Sequence, residues 1–301
     1  MTPRRALLIV NPKARRGADP EANPAERLRE LGLDVIEAAC TGDEKPADLI
    51  RRHAADADIV VIGGGDGTLS AAVAGIVETG LPLGILPLGT ANNVARTLEI
   101  PTDLDEACAI IAAGHTRRID LGSVNGVYFF TTASLGLSVA ITRQLDPATK
   151  RRWGVLAYGL AALQVLSHVR PFTAEIVWSG GTERSRTVQI VVGNGPHYGS
   201  AMTVATDAAI DDAQLDLYSI ELRTWYHLLA LLPALKRGSH GERKGVFALR
   251  ATEVEVRTPS RSHRIDLDGE LGARTPAVFR VVPRAVAVCV KPPDAAEDAA
   301  R

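Results

Sequence analysis

Short apolar runs alternate with amphipathic segments from residue 5 to about residue 115. The apolar runs have the length of buried strands, and the segments between them carry apolar residues at helical spacing. Alternation of this kind predicts a parallel sheet with helices packed on its faces. The predicted strands are 6–10, 33–38, 59–62 and 83–86, and the predicted helices are 25–31, 47–56, 68–78, 90–98 and 104–113.

After residue 120 the pattern changes to one of short strands. Asn125-Gly126 lies between two apolar runs, and Asn-Gly is the strongest short-range signal for a two-residue hairpin. The later pattern indicates an antiparallel sandwich, interrupted by two helical candidates at 153–169 and 225–236. The predicted strands are 172–178, 187–193, 215–220, 246–249, 254–256, 264–267, 278–282 and 286–290.

We therefore expect an α/β plus all-β protein with two domains. Residues 1–120 would form a doubly wound α/β domain and residues 121–291 an antiparallel β-sandwich. The tail at 292–301, rich in Ala and acidic residues, is typical of a disordered segment.

Charge and cysteine content exclude several classes of protein. The 34 basic and 35 acidic residues nearly cancel, which argues against a general nucleic-acid binder and predicts no nucleic-acid partner. The three cysteines are far apart and fit neither a disulfide framework nor a zinc site. The apolar run at 6–10 is too short for a signal peptide, and the uncharged stretch at 121–142 contains the hairpin signal. We expect a soluble, cytoplasmic protein.

The sharpest motif is Gly63-Gly64-Gly65-Asp66-Gly67-Thr68, between the predicted strand 59–62 and the predicted helix that follows. Successive glycines let backbone N–H groups approach an anion, and a helix N-terminus adds partial positive charge, so the motif suits a phosphate. A glycine-rich turn in which Asp66 or Thr68 caps the helix is the alternative. The motif matches neither the Walker A pattern nor GxGxxG.

Two further loops follow neighbouring predicted strands, at 11–15 and at 87–93. The first carries Asn11, Lys13 and Arg15, and the second carries Gly89 and Asn92. Because the carboxyl ends of parallel strands meet at one edge of a sheet, where ligands usually bind, the three loops together predict a nucleotide cleft.

At this level of detail the chain resembles the diacylglycerol kinase catalytic family, in particular the soluble bacterial lipid kinases, over nearly its whole length. The resemblance implies an N-terminal nucleotide-binding domain, a C-terminal β-sandwich and an active site in the cleft between them. It also implies ATP and Mg²⁺ as cofactors. The motifs that carry it are Asn11-Pro12, Gly64-Gly65-Asp66-Gly67-Thr68, Pro87-Leu88-Gly89-Thr90-Ala91-Asn92, Arg118-Ile119-Asp120-Leu121-Gly122, Gly193-Asn194-Gly195, Asp211-Asp212 through Leu215-Asp216, and Asp268-Gly269-Glu270.

Carried over position by position, the resemblance implies roles for individual residues. Asp66 would lie beside the phosphates or their Mg²⁺, and Glu270 would be the proton acceptor with Asp268 beside it. A kinase does need a carboxylate near the acceptor hydroxyl, although Asp268-Gly269-Glu270 taken alone would be interpreted as a surface turn. The implied ATP site comprises Asn11, Pro12, Lys13, Ala14, Arg15, Thr41, Gly64, Gly65, Asp66, Gly67, Thr68, Leu69, Ser70, Ala71, Gly89, Thr90 and Asn92.

A second, largely structural Mg²⁺ site is implied by the segment 209–216. Asp212 would supply a carboxylate, and Ala209 and Gln214 would supply backbone carbonyl groups, which are ligands that a hard cation prefers. An exposed acidic turn before a strand is the alternative interpretation.

This sequence departs from the family pattern at three points. Ser70-Ala71 replaces the usual Asn-Glu, Asn93 replaces the usual Asp, and Ala213 replaces the usual Gly. Two acids are therefore missing near the predicted cleft, which leaves open how metal is held there. Asp66 and Glu270 are unaffected.

The predicted function is an ATP-dependent lipid kinase that phosphorylates a hydroxyl of a membrane lipid such as diacylglycerol. The stretch 223–264 contains nine basic and three acidic residues and includes an apolar segment at 225–232. Both features suit contact with anionic lipid at the inner face of the membrane. Lys150-Arg151-Arg152 is a second candidate for that contact. A core helix with a solvated charged flank is the alternative.

Two other functions compete with the lipid kinase. NAD kinase has a related Gly-Gly-Asp-Gly loop, but its Asn-Glu and Thr-Gly-Ser-Thr-Ala-Tyr motifs are absent from this sequence. A non-catalytic sensor of nucleotide or lipid would explain the missing acids, whereas intact Asp66, Thr68, Asp268 and Glu270 argue for catalysis. The sequence leaves the acceptor open among diacylglycerol, phosphatidylglycerol, a sphingoid base and a polyprenol or glycolipid, and it carries no signal of oligomeric state.

Overall fold

The computed structural model describes residues 3–12, 14, 23–40, 44–137, 139, 171–195, 197–198, 202–203, 209–221 and 245–292. The chain divides into two compact units, Met1–Asp120 with Pro283–Arg301, and Leu121–Val282. The predicted helices at 153–169 and 225–236, the basic triplet at 150–152 and the tail beyond residue 292 lie outside the described residues.

The first unit is built on parallel strands connected by helices, as the alternating pattern predicts. Its strands pair in parallel in the order β2-β1-β3-β4. The strands are β1 (Arg5–Val10), β2 (Asp34–Ala38), β3 (Ile59–Gly64) and β4 (Leu83–Pro87), and the helices are α1 (Pro24–Glu30), α2 (Pro46–His53), α3 (Asp66–Thr79), α4 (Asn93–Thr97) and α5 (Leu104–Ala113). Strands β3 and β4 are buried along their whole length, which is why they are continuous apolar runs.

Helix α4 is shorter than the predicted 90–98 because the residues before Asn93 are not helical. Asn92 adopts a left-handed backbone conformation with φ 48°, so the helix begins only at Asn93. Two other helices end at a glycine. Gly80 ends α3 and Gly114 ends α5, each in the left-handed conformation that glycine adopts without strain.

The second unit is an antiparallel sandwich, as predicted. One sheet has the strand order β14-β13-β10-β7-β16-β17, and the strands β18, β15, β8 and β9 are neighbours in another. Buried side chains from both sheets, among them Leu135, Ile176, Ile190 and Phe279, form one apolar core. The strands that follow β4 are β5 (Thr116–Val124), β6 (Val127–Phe129), β7 (Thr132–Gly136), β8 (Phe172–Trp178), β9 (Gly181–Thr187), β10 (Gln189–Gly193), β11 (His197–Tyr198), β12 (Met202–Thr203), β13 (Leu215–Ile220), β14 (Val246–Ala251), β15 (Glu253–Arg257), β16 (Arg264–Leu267), β17 (Glu270–Arg274) and β18 (Ala277–Cys289).

Two strands at the ends of these sheets were not predicted. Strand β9 consists largely of polar residues, and every residue of β17 is exposed or half-buried. Edge strands of this kind present charged side chains that discourage pairing with another chain, so they lack the apolar alternation by which strands are found in a sequence.

The predicted strands 278–282 and 286–290 are in fact one strand, β18. Arg284 lies within it in a left-handed conformation with φ 52°. The carboxylate of Asp120 accepts the Arg284 N–H at 2.7 Å, and the Arg118 guanidinium donates to the Arg284 carbonyl at 3.2 Å. Side chains that are distant in sequence thus stabilise the irregular residue.

The end of β18 pairs in parallel with β4 through Val288 and Leu83, so the first unit takes in Pro283–Cys289 as well as 1–120.

Of the helices that the structure describes, none is long and apolar enough to cross a membrane.

Candidate active site

The glycine-rich loop lies where the sequence places it, at the carboxyl end of β3. Helix α3 begins at Asp66, and Gly65 at the preceding cap position has no side chain to accept a hydrogen bond from the first turn. The first amide groups of a helix have no partner within the helix and carry partial positive charge. The start of α3, a helix of 14 residues, therefore suits an anion from outside it, such as a phosphate.

The loop at 87–93 packs directly against the glycine-rich loop at 63–68. A Cβ atom on Gly89 would lie 2.5 Å from the Cα of Gly65 and 2.7 Å from the Oδ1 of Asn92. The Leu88 N–H also donates to the Gly64 carbonyl at 3.0 Å. Glycine is therefore required at position 89 for the close approach of two backbones, a reason that the spacing of the glycines did not show.

Asn92 holds the second loop together. Its Oδ1 accepts the Gly89 N–H at 3.1 Å, and its Nδ2 donates to the carbonyls of Gly89 at 3.1 Å and Pro87 at 3.3 Å. The side chain is only 6% exposed. Asn92 thus shapes the predicted nucleotide loop from within, and its amide group is already engaged by the protein.

Asn11 joins the loop at 11–15 to the glycine-rich loop at 63–68. Its backbone N–H donates to the Gly63 carbonyl at 2.8 Å, and its Nδ2 donates to the hydroxyl of Thr68 at 3.0 Å. Since Thr68 lies in the first turn of α3, all three loops that the sequence identified meet around the start of this helix.

The remaining predicted nucleotide residues differ in accessibility. Pro12, Gly67, Ala71 and Thr90 are exposed, whereas Ala14 and Ser70 are half-buried. Leu69 is 2% exposed and belongs to the apolar core, so only its backbone could contact a ligand. Lys13, Arg15 and Thr41 lie outside the described residues.

Asp66 links the glycine-rich loop at 63–68 to the loop at 87–93. Its Oδ1 accepts the Val94 N–H at 3.2 Å, and its Oδ2 accepts the Nδ2 of Asn93 at 3.4 Å, so the carboxylate caps the short helix α4. Asn93 is the position where the family usually has an Asp. An acid there would bring two carboxylates together, whereas the amide of Asn93 donates a hydrogen bond to Asp66. A single carboxylate therefore lies at this point.

In the second unit, Asp268 and Gly269 form a two-residue hairpin turn between β16 and β17, with φ values of 49° and 97°. The Asp268 carboxylate binds the chain between β6 and β7. Oδ1 accepts the Thr131 N–H at 2.9 Å, the Thr131 hydroxyl at 2.7 Å and the Thr132 N–H at 3.0 Å, and Oδ2 accepts the Phe130 N–H at 2.7 Å. Asp268 therefore anchors the turn.

Glu270 is the first residue of β17 and is exposed. Its carboxylate forms no hydrogen bond or ion pair with any residue that the structure describes. Of the two acids predicted in this motif, Asp268 holds the turn in place and Glu270 has a carboxylate available to a substrate.

Asp266 is a third acid at this turn, and sequence reasoning missed it. Its Oδ1 accepts the Gly269 N–H at 2.8 Å, while its Oδ2 is buried without a hydrogen-bond partner among the described residues. Burial raises the pKa of Asp266 to about 6, and the charges of Asp268 and Glu270 act in the same direction. Alternation in 264–267 only marks it as facing away from Ile265 and Leu267, and the tertiary structure alone shows that it is 8% exposed.

The predicted metal residues Ala209, Asp212 and Gln214 lie in one tight turn. Asp212 accepts the Gln214 N–H at 2.9 Å and the Ala209 N–H at 3.2 Å. Ala213 has a left-handed φ of 56°, which explains why glycine is usual there. Within the described ranges no three His, Cys, Asp or Glu side chains come together as metal ligands, so a cation here would be held by one carboxylate and backbone oxygens.

The family motifs of the second unit meet around residues 130–132. Asn194 donates from its Nδ2 to the Phe130 carbonyl and from its backbone N–H to the Thr131 carbonyl, both at 2.8 Å. Gly195, with φ 107°, packs against Ile210 of the 209–216 motif. Since Asp268 binds the same three residues, motifs that are scattered in sequence form one cluster.

Comparison with known proteins shows to which family the chain belongs. The family model for the diacylglycerol kinase catalytic domain matches residues 5–124, and that for the YegS C-terminal NAD kinase beta sandwich-like domain matches residues 131–290. A diacylglycerol kinase of Mycobacterium tuberculosis is 33% identical over 293 residues, covering 93% of each chain, and one of Bacillus subtilis is 29% identical, covering 92% of this chain and 93% of the relative. The crystal structure of a putative diacylglycerol kinase from Bacillus anthracis has the same fold, with a TM-score of 0.83, 24% identity and 97% of each chain covered. The chain therefore belongs to the diacylglycerol kinase family of phosphotransferases.

Proposed function

We propose that this protein is an ATP-dependent lipid kinase that transfers the γ-phosphate of ATP to a hydroxyl of a membrane lipid, with diacylglycerol as the first acceptor to test. The observation that carries the proposal is the meeting of three loops at the start of α3, because it joins an anion-binding helix terminus to a carboxylate. Relatives named diacylglycerol kinase match nearly the whole chain, which supports this acceptor.

The phosphates of ATP bind at the first turn of α3, where Gly65 leaves the amide groups to an outside acceptor. Thr68 accepts a hydrogen bond from Asn11, so its own hydroxyl hydrogen can be donated to a phosphate oxygen. Mg²⁺ is commonly held by one or two carboxylates together with substrate phosphates, and the single carboxylate of Asp66 fits that requirement. When bound, the ion would neutralise charge on the phosphates.

Glu270 accepts the proton of the lipid hydroxyl. Its position follows from the hairpin turn that Asp268 fixes through four hydrogen bonds. Asp212, with the carbonyls of Ala209 and Gln214, would hold a second cation in a structural role. We place the reaction at the cytoplasmic surface of a membrane, which the basic excess at 223–264 supports.

The test is transfer of label from ATP to lipid in the presence of Mg²⁺ and vesicles containing diacylglycerol. Glu270→Gln should lower the rate by about 10²–10⁴-fold, the range for loss of a general base. Glu253→Gln is the matched control, because Glu253 is an exposed acid of the same unit whose partner is Arg280. Full activity in Glu270→Gln, or no labelled lipid with the unmodified chain, would overturn the proposal.

The two competing functions give different results in the same preparation. A non-catalytic sensor would bind ATP and transfer no phosphate to any lipid of a broad panel. NAD kinase would form NADP, which a spectrophotometric assay detects. The available carboxylate of Glu270 favours catalysis over the sensor.

A further inference from the structure

The second unit contains a cavity of about 260 Å³ beside β16 and β17. Three arginines, Arg261, Arg264 and Arg274, line it together with Ser262, His263 and Val139, and no acidic residue of the described ranges does. A small cavity with three guanidinium groups has the chemistry of an anion site, since these groups pair with phosphate and carboxylate oxygens in a fork geometry.

Two of the arginines lie directly opposite one another. Arg264 on β16 pairs in register with Arg274 on β17, and like charges at opposed positions of antiparallel strands destabilise the pair. A bound anion would remove that repulsion. The sheet carries this unfavourable pair at an edge where nearly any polar residue would be tolerated, so the pair calls for a physical reason.

No ion pair joins Arg261, Arg264 or Arg274 to a carboxylate of the residues that the structure describes. Other arginines of the unit are paired within it: Arg257 with Glu255 at 2.6 Å, and Arg280 with Glu253 at 2.7 Å. Arg257 and Arg280 are thus neutralised within the unit, whereas the three arginines at the cavity keep their charge available to an anion.

The backbone at the cavity is held in place before any ligand arrives. The Ser262 hydroxyl donates to the Thr275 carbonyl at 2.6 Å, and the His263 N–H donates to the Thr275 hydroxyl at 2.8 Å. The Thr258 hydroxyl donates to the Arg261 carbonyl at 2.8 Å, and the His263 ring packs against Phe172 with centroids 4.1 Å apart. A preorganised loop loses little entropy when it binds.

Asp266 is the acid closest along the strand, but it does not neutralise the arginines. Its carboxylate turns toward the hairpin and accepts the Gly269 N–H at 2.8 Å. Arg264 precedes the turn residue Asp268 by four positions, or about 13 Å along a strand. The cavity is therefore separate from the turn that carries Glu270.

We propose that this cavity, the arginine pocket, binds a phosphate group carried by a molecule about the size of glycerophosphate. Three clustered arginines favour a phosphate, which has more oxygens to share among them than a carboxylate. The source of the group is a phospholipid headgroup or a soluble phosphoester. This site goes beyond the proposed kinase reaction and does not depend on it.

The test uses the full chain and two kinds of probe. Soluble binding is measured by calorimetric titration with glycerol 3-phosphate and with inorganic phosphate. Membrane binding is measured by co-sedimentation with vesicles of phosphatidylcholine, alone or containing phosphatidylglycerol. Arg264→Gln with Arg274→Gln removes the opposed pair, and Arg280→Gln with Arg257→Gln is the control that removes the same charge from the same unit.

We expect the pocket variant to weaken phosphate binding at least about tenfold, because each lost charge-assisted hydrogen bond costs that much, and the control variant to change it little. Binding of the soluble probes would identify a soluble phosphoester, and binding only to phosphatidylglycerol vesicles would identify a headgroup. Binding of neither kind, or an equal loss in the control variant, would overturn the proposal.

Folding of the variants gives an independent measurement. Because the substitutions remove a like-charge pair, the pocket variant should melt no lower than the unmodified chain when phosphate is absent. Phosphate should raise the Tm of the unmodified chain more than that of the pocket variant, since a ligand stabilises a protein that binds it and phosphate bound at the start of α3 would act equally on both. Burial and Arg261 lower the pKa of His263, so a bound phosphate should raise it in an NMR titration. An equal Tm response in both proteins would contradict the assignment.

Discussion

Replacing Asp266 by Asn tests whether the buried acid at the hairpin turn lowers the stability of the fold. Asp266 is 8% exposed, and one of its oxygens is buried without a hydrogen-bond partner among the described residues. Asn keeps the size of the side chain and an oxygen to accept the Gly269 N–H, and it removes the charge. The substitution therefore isolates the cost of burying a carboxylate beside Asp268 and Glu270.

The magnitude follows from the pKa. Burial raises the pKa of Asp266 from 3.8 to about 6, and each unit corresponds to about 1.4 kcal/mol, which sets an upper bound of about 3 kcal/mol on the cost. Because the folded state binds the proton more tightly, the cost is absent below about pH 4 and complete above about pH 6. The amide N–H₂ of Asn is itself costly to bury, so we expect a net gain of about 1–2 kcal/mol at pH 8.

The assay is urea denaturation of the unmodified chain and Asp266→Asn at about pH 8 and pH 4.5. The difference in free energy of unfolding should favour the variant at pH 8 and vanish or reverse at pH 4.5, where the acid is mostly protonated. Glu253→Gln, at an exposed acid, should show no such dependence. A difference that is the same at both pH values would refute the reasoning.

Three other substitutions test the loops and turns. Gly89→Ala should destabilise the chain by about 1–3 kcal/mol and abolish the thermal shift produced by ATP, because its Cβ would overlap the glycine-rich loop. The control is Thr116→Ala, at an exposed residue of the same unit outside the predicted ATP site, and an unchanged shift in Gly89→Ala would contradict the packing. Ala213→Gly should stabilise the chain by up to about 1 kcal/mol in urea denaturation, since it relieves a left-handed residue at φ 56°, and a loss of stability would count against strain there. Asn93→Asp should lower the Tm in the absence of Mg²⁺, and added Mg²⁺ should restore it, because the substitution places a second carboxylate beside Asp66. The Nδ2 of Asn93 now lies 3.4 Å from the Oδ2 of Asp66. A Tm that does not respond to Mg²⁺ would show that the two side chains do not share an ion.

The phosphate loops could be predicted because their determinants are local. A strand, a run of glycines and a helix start follow one another within ten residues, and Asp66 and Thr68 take their positions from that order. The role of Glu270 came from the resemblance alone, since a turn of Asp and Gly is equally typical of an ordinary hairpin. The function of Asn92 and the contact of Gly65 with Gly89 needed the structure, because they depend on how two loops meet.

The sequence by itself determined the parallel sheet of the first unit, the sandwich of the second and the motifs of the family, because apolar periodicity and short loops are properties of neighbouring residues. The tertiary structure decided what depends on partners far along the chain. Asp268 anchors residues that precede it by more than 130 positions, and β18 passes through Arg284 because Asp120 accepts its N–H. Burial of Asp266 and the opposition of Arg264 and Arg274 likewise follow from strand register, which a sequence does not show for polar edge strands.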